Sequence, residues 1–334
     1  MVGDNLQWLA FAFAGLLGFS ILLYVILDGF DLGVGILLPF AEDAEKDRMV
    51  ASIGPFWDAN ETWLVLGVGI LLVAFPVAHG VILTALYLPV AVMLVGLILR
   101  GVAFEFRMKA PSERKATWNT AFFVGSLVTA LSQGYMLGLY IMGLQHTVMH
   151  VLFGLVTAFC VAAGYAFIGA TWLIFKTETA LQEKAIRWAR VGLLGSAFGL
   201  ILVSLTTPLV SARIFEKWFS IPEIVLLAPL PIISAVLIAL IWIVLRQLPA
   251  TNSDWDWVPF ASAVGLFAIA FAGLAYSFYP YIVPEKLTIY EAASAPESLI
   301  IILIGTLVVM PIILGYTALA YYIFRGKATE LRYD

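Results

Sequence analysis

Charge is missing from seven long stretches of this chain: residues 6–27, 62–99, 116–175, 191–212, 224–245, 257–284 and 298–324. Crossing a bilayer takes about 20 apolar residues, so five of these runs are one span long and two are double. The run 62–99 breaks at Pro76-Val-Ala-His-Gly80, and 116–175 breaks at Gly143-Leu-Gln-His-Thr-Val-Met-His150. Both breaks read as turns between antiparallel helices, which gives nine spans. In lipid every backbone polar group must be satisfied internally, and none of the runs alternates as a barrel strand does, so the spans are predicted to be helices. The fold class expected is all-α integral membrane: nine transmembrane helices, arranged as two helical bundles plus one peripheral helix, forming a single polytopic membrane domain over 1–334.

Composition agrees with this pattern. The chain is 62% hydrophobic and 12% charged, with a mean hydropathy of +1.00, against roughly 25% charged residues in soluble domains. Charge adds the orientation. Nine spans place every one of the 18 Lys and Arg residues on one side of the membrane, save Arg213, Lys217 and Lys286. By the positive-inside rule the N-terminus is expected to be periplasmic and the C-terminus cytoplasmic. The N-terminal run lacks the basic region and cleavage site of a signal peptide and reads as a retained first span. A net charge of −4 gives no sign of nucleic-acid binding, and the one cysteine, Cys160, lies inside a span as a packing residue.

The candidate chemistry sits at the basic side of the first three spans. Asp28 and Asp31 end the first run, Asp58 and Glu61 enter the second, and Arg100 and Glu105 leave the third. Asp28 with Asp31, and Asp58 with Glu61, are each three residues apart and share a helical face. Ionisable groups at membrane depth are costly, and four neighbouring acids cannot all stay charged cheaply, which suits a proton conduit. The same acids would serve equally as helix caps or as partners of Arg100, Arg107 or Lys109, stabilising packing and moving nothing. Glu105, beside Arg107, reads first as a structural ion-pair partner. Trp57 reads as an interfacial belt residue, or as a flat platform for a lipid-soluble ring. His79, His146 and His150 all fall in or beside the turns of the other side, whereas a haem in a helix bundle wants an axial ligand at depth. His146 and His150 have no Cys, Asp or Glu nearby to complete a metal site, and no phosphate-binding Gly-rich loop is present. A proton-coupled secondary transporter and a purely structural accessory subunit remain open at this point.

Three motifs on three successive spans narrow the choice: Asp28-Gly-Phe-Asp-Leu-Gly-Val-Gly35, Gly54-Pro-Phe-Trp-Asp-Ala-Asn60 and Arg100-Gly-Val-Ala-Phe-Glu-Phe-Arg107. With Phe278-Tyr-Pro-Tyr-Ile-Val-Pro284 and Val309-Met-Pro-Ile-Ile-Leu-Gly-Tyr316 near the far end, the chain resembles subunit II of the cytochrome bd-type quinol oxidases. Its short loops are similar to those of the cyanide-insensitive branch. The resemblance implies a haem-free subunit of an oxygen-reducing, electrogenic but non-pumping enzyme of the bacterial inner membrane. Its partner would be a larger subunit I carrying two haems b and one haem d, with quinol, membrane lipids and small single-span subunits as further partners. Carried over by position, Trp57 and Asp31 would border a structural quinone, Asp58 would be the proton-path acid, and Arg100 with Glu105 would form a charged pair beside it. Glu61 departs from the family pattern, so its place in the route rests on its spacing from Asp58.

Overall fold

The structure is a computed structural model and describes residues 7–249 and 255–328. In chain order its elements are α1 (Gln7–Leu37), α2 (Asp43–Ile53), α3 (Trp57–Ala74), α4 (Pro76–Lys109), α5 (Ser112–Ile141), α6 (Val148–Lys176), α7 (Thr179–Val210), α8 (Ala212–Phe219), α9 (Glu223–Leu227), α10 (Pro229–Gln247), α11 (Val258–Phe278), β1 (Tyr281–Val283), β2 (Leu287–Thr288), α12 (Ile289–Ala292) and α13 (Pro296–Ile323). Among the described residues nine helical segments are long and apolar enough to cross a membrane, α9 and α10 together making one of them.

Two boundaries differ from the sequence reading. The first helix does not stop where its uncharged run stops. It continues through Asp28 and Asp31 to Leu37, and both acids are buried within it. The break inside 62–99 is not a turn across Pro76–Gly80 either: Phe75 alone leaves helical geometry, and α4 starts at Pro76. Proline suits a first helical position because its missing N–H would have no intrahelical partner there. His79 and Gly80 are therefore already in the helix.

The helices pack in chain order from α4 to α7, while α1 lies against α3, α5 and α6, and α10 pairs with α11. Glycine sets how closely the helices around α1 and α4 approach. A methyl group added at Gly33 would stand 1.8 Å from the Tyr165 carbonyl oxygen, so α1 and α6 touch backbone to backbone there. One added at Gly125 would stand 2.7 Å from the Arg100 nitrogen, so α5 presses on α4 where that arginine leaves the chain. These contacts need no ligand to explain them.

At the basic-rich end, α2 packs against α1 and α6 with Met49, Val50 and Ile53 buried. Its start is closed by a capping box between Glu42 and Glu45, and the same two acids hold Lys184 of α7 at 2.8 and 2.7 Å. Phe30 stacks on Trp172 at 4.3 Å and Phe56 on Tyr321 at 4.5 Å, which brings α1, α6 and α13 together. At the opposite end a second core gathers Phe13, Phe75, Leu139 and Val283. The proline inside α4, Pro89, cannot donate to the Ala85 carbonyl, and His146 Nε2 lies 3.1 Å from that oxygen and occupies it instead.

Candidate functional site

Arg100 organises the site. It projects from α4 into the interior and is 1% exposed. Its Nη1 donates to Asp28 Oδ1 at 2.5 Å and its Nη2 donates to Glu61 Oε2 at 2.8 Å. One guanidinium thus joins α1, α3 and α4. Asp31, one helical turn beyond Asp28, is fully buried, and its Oδ2 accepts from Asn60 Nδ2 at 2.8 Å. Asn60 Oδ1 accepts in turn from the Tyr321 hydroxyl at 3.0 Å, which adds α13 to the cluster.

Charge and hydrogen bonding are both left incomplete. Three carboxyl groups, Asp28, Asp31 and Glu61, gather around the one cation of Arg100, so acids outnumber cations in this interior. Asp31 Oδ1 and Arg100 Nε are buried with no protein partner among the described residues, and the Tyr24 hydroxyl stands within reach of Asp28. Buried groups of this kind are normally met by ordered water. Asp28 and Asp31 have no exposed surface, whereas the Glu61 side chain is 29% exposed, so the cluster reaches the chain's surface at Glu61.

The sequence-predicted residues divide. Asp28, Asp31, Glu61 and Arg100 meet. Asp58, one turn before Glu61, is exposed and within electrostatic reach of it, but the side chain makes no ion pair among the described residues. Glu105 is exposed, and the ion pair expected of it is not formed. Arg100 and Arg107 are seven residues apart and share a helical face, while Glu105 points away from both. Arg107 is bonded instead to Asp47 and Asn119. Trp57 is half-buried, with its ring 4.9 Å from that of Phe104 and against Gly101.

Sequence reasoning missed Asn60, Tyr321 and a chain of polar groups deeper in the bundle. Tyr165 donates to Gln133 Oε1 at 2.6 Å, and Gln133 Nε2 donates to the Tyr24 hydroxyl at 2.6 Å, one turn from Asp28. Asn60 carried a usable signal: it is an amide between two acids at the mouth of an apolar run. Tyr321, one of many aromatics in its run, carried none.

A family model described as cytochrome bd terminal oxidase subunit II matches residues 9–324. The chain belongs to that family. It is 28% identical to the cytochrome bd ubiquinol oxidase subunit 2 of Bacillus subtilis, over 92% of this chain and 93% of that one. It is also 28% identical to the cytochrome bd-I ubiquinol oxidase subunit 2 of Escherichia coli, over 94% of each. Among solved structures, the bd oxidase of Geobacillus thermodenitrificans aligns with a TM-score of 0.79 at 17% identity, covering 95% of this chain and 98% of the other, and so shares the fold. As a subunit II of a terminal oxidase, the chain is a multi-pass component of a respiratory membrane enzyme and implies a subunit I. The transporter alternative falls with this assignment.

Two cofactor expectations can be held against the residues present. The three histidines lie at the end away from Arg100. His146 is tied to the Ala85 carbonyl, and His150 shares a hydrogen bond with Thr147. They do not fit an axial haem ligand at membrane depth. For a quinone, the Trp57 ring offers a half-open face, but Asp31 is sealed behind Asn60. The pair does not fit as the two walls of one head-group pocket without opening the helix contacts.

Proposed function

We propose that this chain is subunit II of a bacterial quinol oxidase, as its Bacillus and Escherichia relatives are named, and that Glu61, Asp28 and Asp31, held around Arg100, carry protons inward from the cytoplasmic side. The haem-bearing subunit I, with two haems b and one haem d, would oxidise quinol near the outer surface and reduce dioxygen to water. Drawing the protons for water from the inside charges the membrane without a pump. In this orientation the N-terminus is periplasmic and the C-terminus cytoplasmic, in line with the one-sided Lys and Arg. The chain acts as one polytopic domain, and α13, with only Leu299 and Met310 buried, suits the helix left outside two bundles.

The observation that carries the reading is the imbalance around Arg100: three carboxyl groups, one cation, and orphaned polar atoms between them. An ion pair kept only for packing has no need of more buried acids than cations. Glu61, partly open, exchanges protons with water and with Asp58 beside it. Asp28, held on the same guanidinium, takes them further in, and Asp31 lies one turn nearer the cytoplasmic end of α1. Arg100 keeps the acids close enough for proton exchange and keeps any charged form tolerable in lipid. A structural quinone would rest on the outer face of Trp57, its pocket completed by subunit I or lipid. Glu61→Gln in the assembled complex decides between wire and scaffold. It keeps the shape and one hydrogen bond but cannot release a proton. Full haem content with turnover reduced about tenfold or more is the expected result. Wild-type turnover at full haem content would leave the cluster a structural tie.

A further inference from the structure

The last membrane helix, α13, buries little of itself, and its hold on the rest of the chain is strongest at its C-terminal end. Lys176, the last residue of α6, is 3% exposed. Its ammonium lies 5.1 Å from the Trp172 ring centre, 5.5 Å from that of Phe56 and 5.7 Å from that of Phe175. From this aromatic cage it donates to the Phe324 carbonyl and, at 2.9 Å, to the Gly326 carbonyl. These carbonyls are at and just beyond the end of α13, where oxygens lack helical partners and a cation is favourable. The following residues are fastened to the same place. Ala328 N donates to the Lys176 carbonyl at 2.7 Å, and Lys327 Nζ donates to the Thr177 carbonyl at 3.1 Å and to Asp256 at 3.0 Å.

One turn back from this latch stands Tyr321. It stacks on Phe56, one wall of the Lys176 cage, and its hydroxyl donates to Asn60 Oδ1. An amide has two faces. Turned as it is here, Asn60 offers N–H to Asp31, which suits a carboxylate; turned over, it would offer oxygen, which suits a carboxylic acid. The Leu27 carbonyl, which can only accept and lies 3.4 Å from Asn60 Nδ2, favours the first orientation, and the Tyr321 hydroxyl, donating to Oδ1, completes it. Tyr321 meets the amide only while the end of α13 is pinned against α6.

We propose that Lys176 is a positioning residue for the proton route: by latching the end of α13 it holds Tyr321 on Asn60 and so steadies the hydrogen bond that Asp31 receives from the amide. This rests on the proton-route reading above. Other ionisable groups facing Asp31 are Asp28 on its own helix, Glu61 on α3, Arg100 on α4 and Tyr321 on α13. A latch that only stabilised the fold would change yield and leave the pH profile of the remaining enzyme alone.

The test uses the complex of this chain with its subunit I, normalised to haem content. Tyr321→Phe removes one hydroxyl and keeps the ring on Phe56. It is expected to lower turnover about fivefold, the worth of one neutral hydrogen bond, and to move the pH profile. Lys176→Gln should reproduce that shift, the double variant should add nothing to it, and Lys176→Arg should restore most of the wild-type profile. Wild-type turnover and profile in Tyr321→Phe, alongside a slow Glu61→Gln enzyme, would overturn the latch while leaving the proton route standing. An unchanged Glu61→Gln enzyme would end the route itself. Should Lys176→Gln lose haem altogether while Tyr321→Phe is unchanged, Lys176 is a stability residue and the proposal fails.

Discussion

Arg100 and Arg107 leave the same face of the same helix two turns apart, and both are nearly fully buried, at 1% and 2% exposure. Their surroundings are opposite. Arg100 faces Asp28 and Glu61 with Asp31 behind, so acids outnumber cations and polar atoms stay orphaned. Around Arg107 a single acid, Asp47 of α2, meets two cations: Arg107 at 2.7 Å and Lys115 at 3.3 Å. Asn119 takes the Arg107 Nε at 2.5 Å. The Arg107 group needs no extra proton to be electrically tolerable, and it ties α2, α4 and α5 at the membrane edge. The two arginines are thus matched in type and burial, and what separates a candidate wire from a tie is the local count of charges and the exposure of the acids, nil at Asp28 and 42% at Asp47.

Removing each arginine tests that contrast most severely. Arg100→Met leaves carboxylates in lipid with no counter-charge, a loss of about 3–5 kcal/mol by the usual cost of breaking a buried pair. The expected result is little or no assembled, haem-bearing complex. Arg107→Met leaves Asp47 with Lys115 and a path to water, so the cost should fall to about 1–2 kcal/mol. Complex yield would drop modestly, and turnover per haem would stay at the wild-type level. Equal losses of yield, or slow turnover in the Arg107 variant, would dissolve the distinction.

Asp58→Asn comes next in size. The side chain stands on the surface of α3, one turn outside Glu61, where a first acceptor from the cytoplasm would be placed. Turnover per haem is expected to fall several-fold at least, with haem content unchanged, since the acid relays a proton and ligates no iron. Wild-type turnover would move the entrance to Glu61 and leave Asp58 outside the route.

The nine spans were legible because lipid imposes one rule on every segment, a run of about 20 apolar residues, whatever the tertiary fold. The helix ends were less so. Charge normally marks the edge of a membrane helix, and at Asp28 and Asp31 it does not, because Arg100 of α4 and Asn60 of α3 bond the two acids inside the protein. The candidate site was half visible for the same reason. Spacing puts Asp28 with Asp31 and Asp58 with Glu61 on common faces, yet only rotation of α3 against α1 turns Glu61 inward and Asp58 outward. No local pattern encodes that rotation. Glu105 misled through adjacency: two positions along a helix is about 200° of rotation, so a neighbour in sequence to Arg107 points away from it in space. The contributions of Asn60 and Tyr321 depend on α13 returning beside α3 some 260 residues later in the chain, and that is a property of packing alone.

The smallest expected effect falls on Asp47, and it is the one that titrates in the open. Burial alone would push its carboxyl up, but the hydrogen bonds and charges of Arg107 and Lys115 outweigh that and hold it below its ordinary value. A carboxyl depressed in the folded state adds stability above the unfolded value, near pH 4, and loses it as pH falls through the folded value. With the Asp47 side chain 42% exposed, solvent and salt screen most of this, so Asp47→Asn should cost under about 1 kcal/mol near neutral pH. Thermal unfolding of the purified complex would show a small drop that shrinks with added salt and vanishes as pH is lowered below about 4. Turnover per haem should not change at any pH. A turnover defect in this variant would mean that protons also pass by Arg107, and the two arginine groups would then have to be treated as one continuous route.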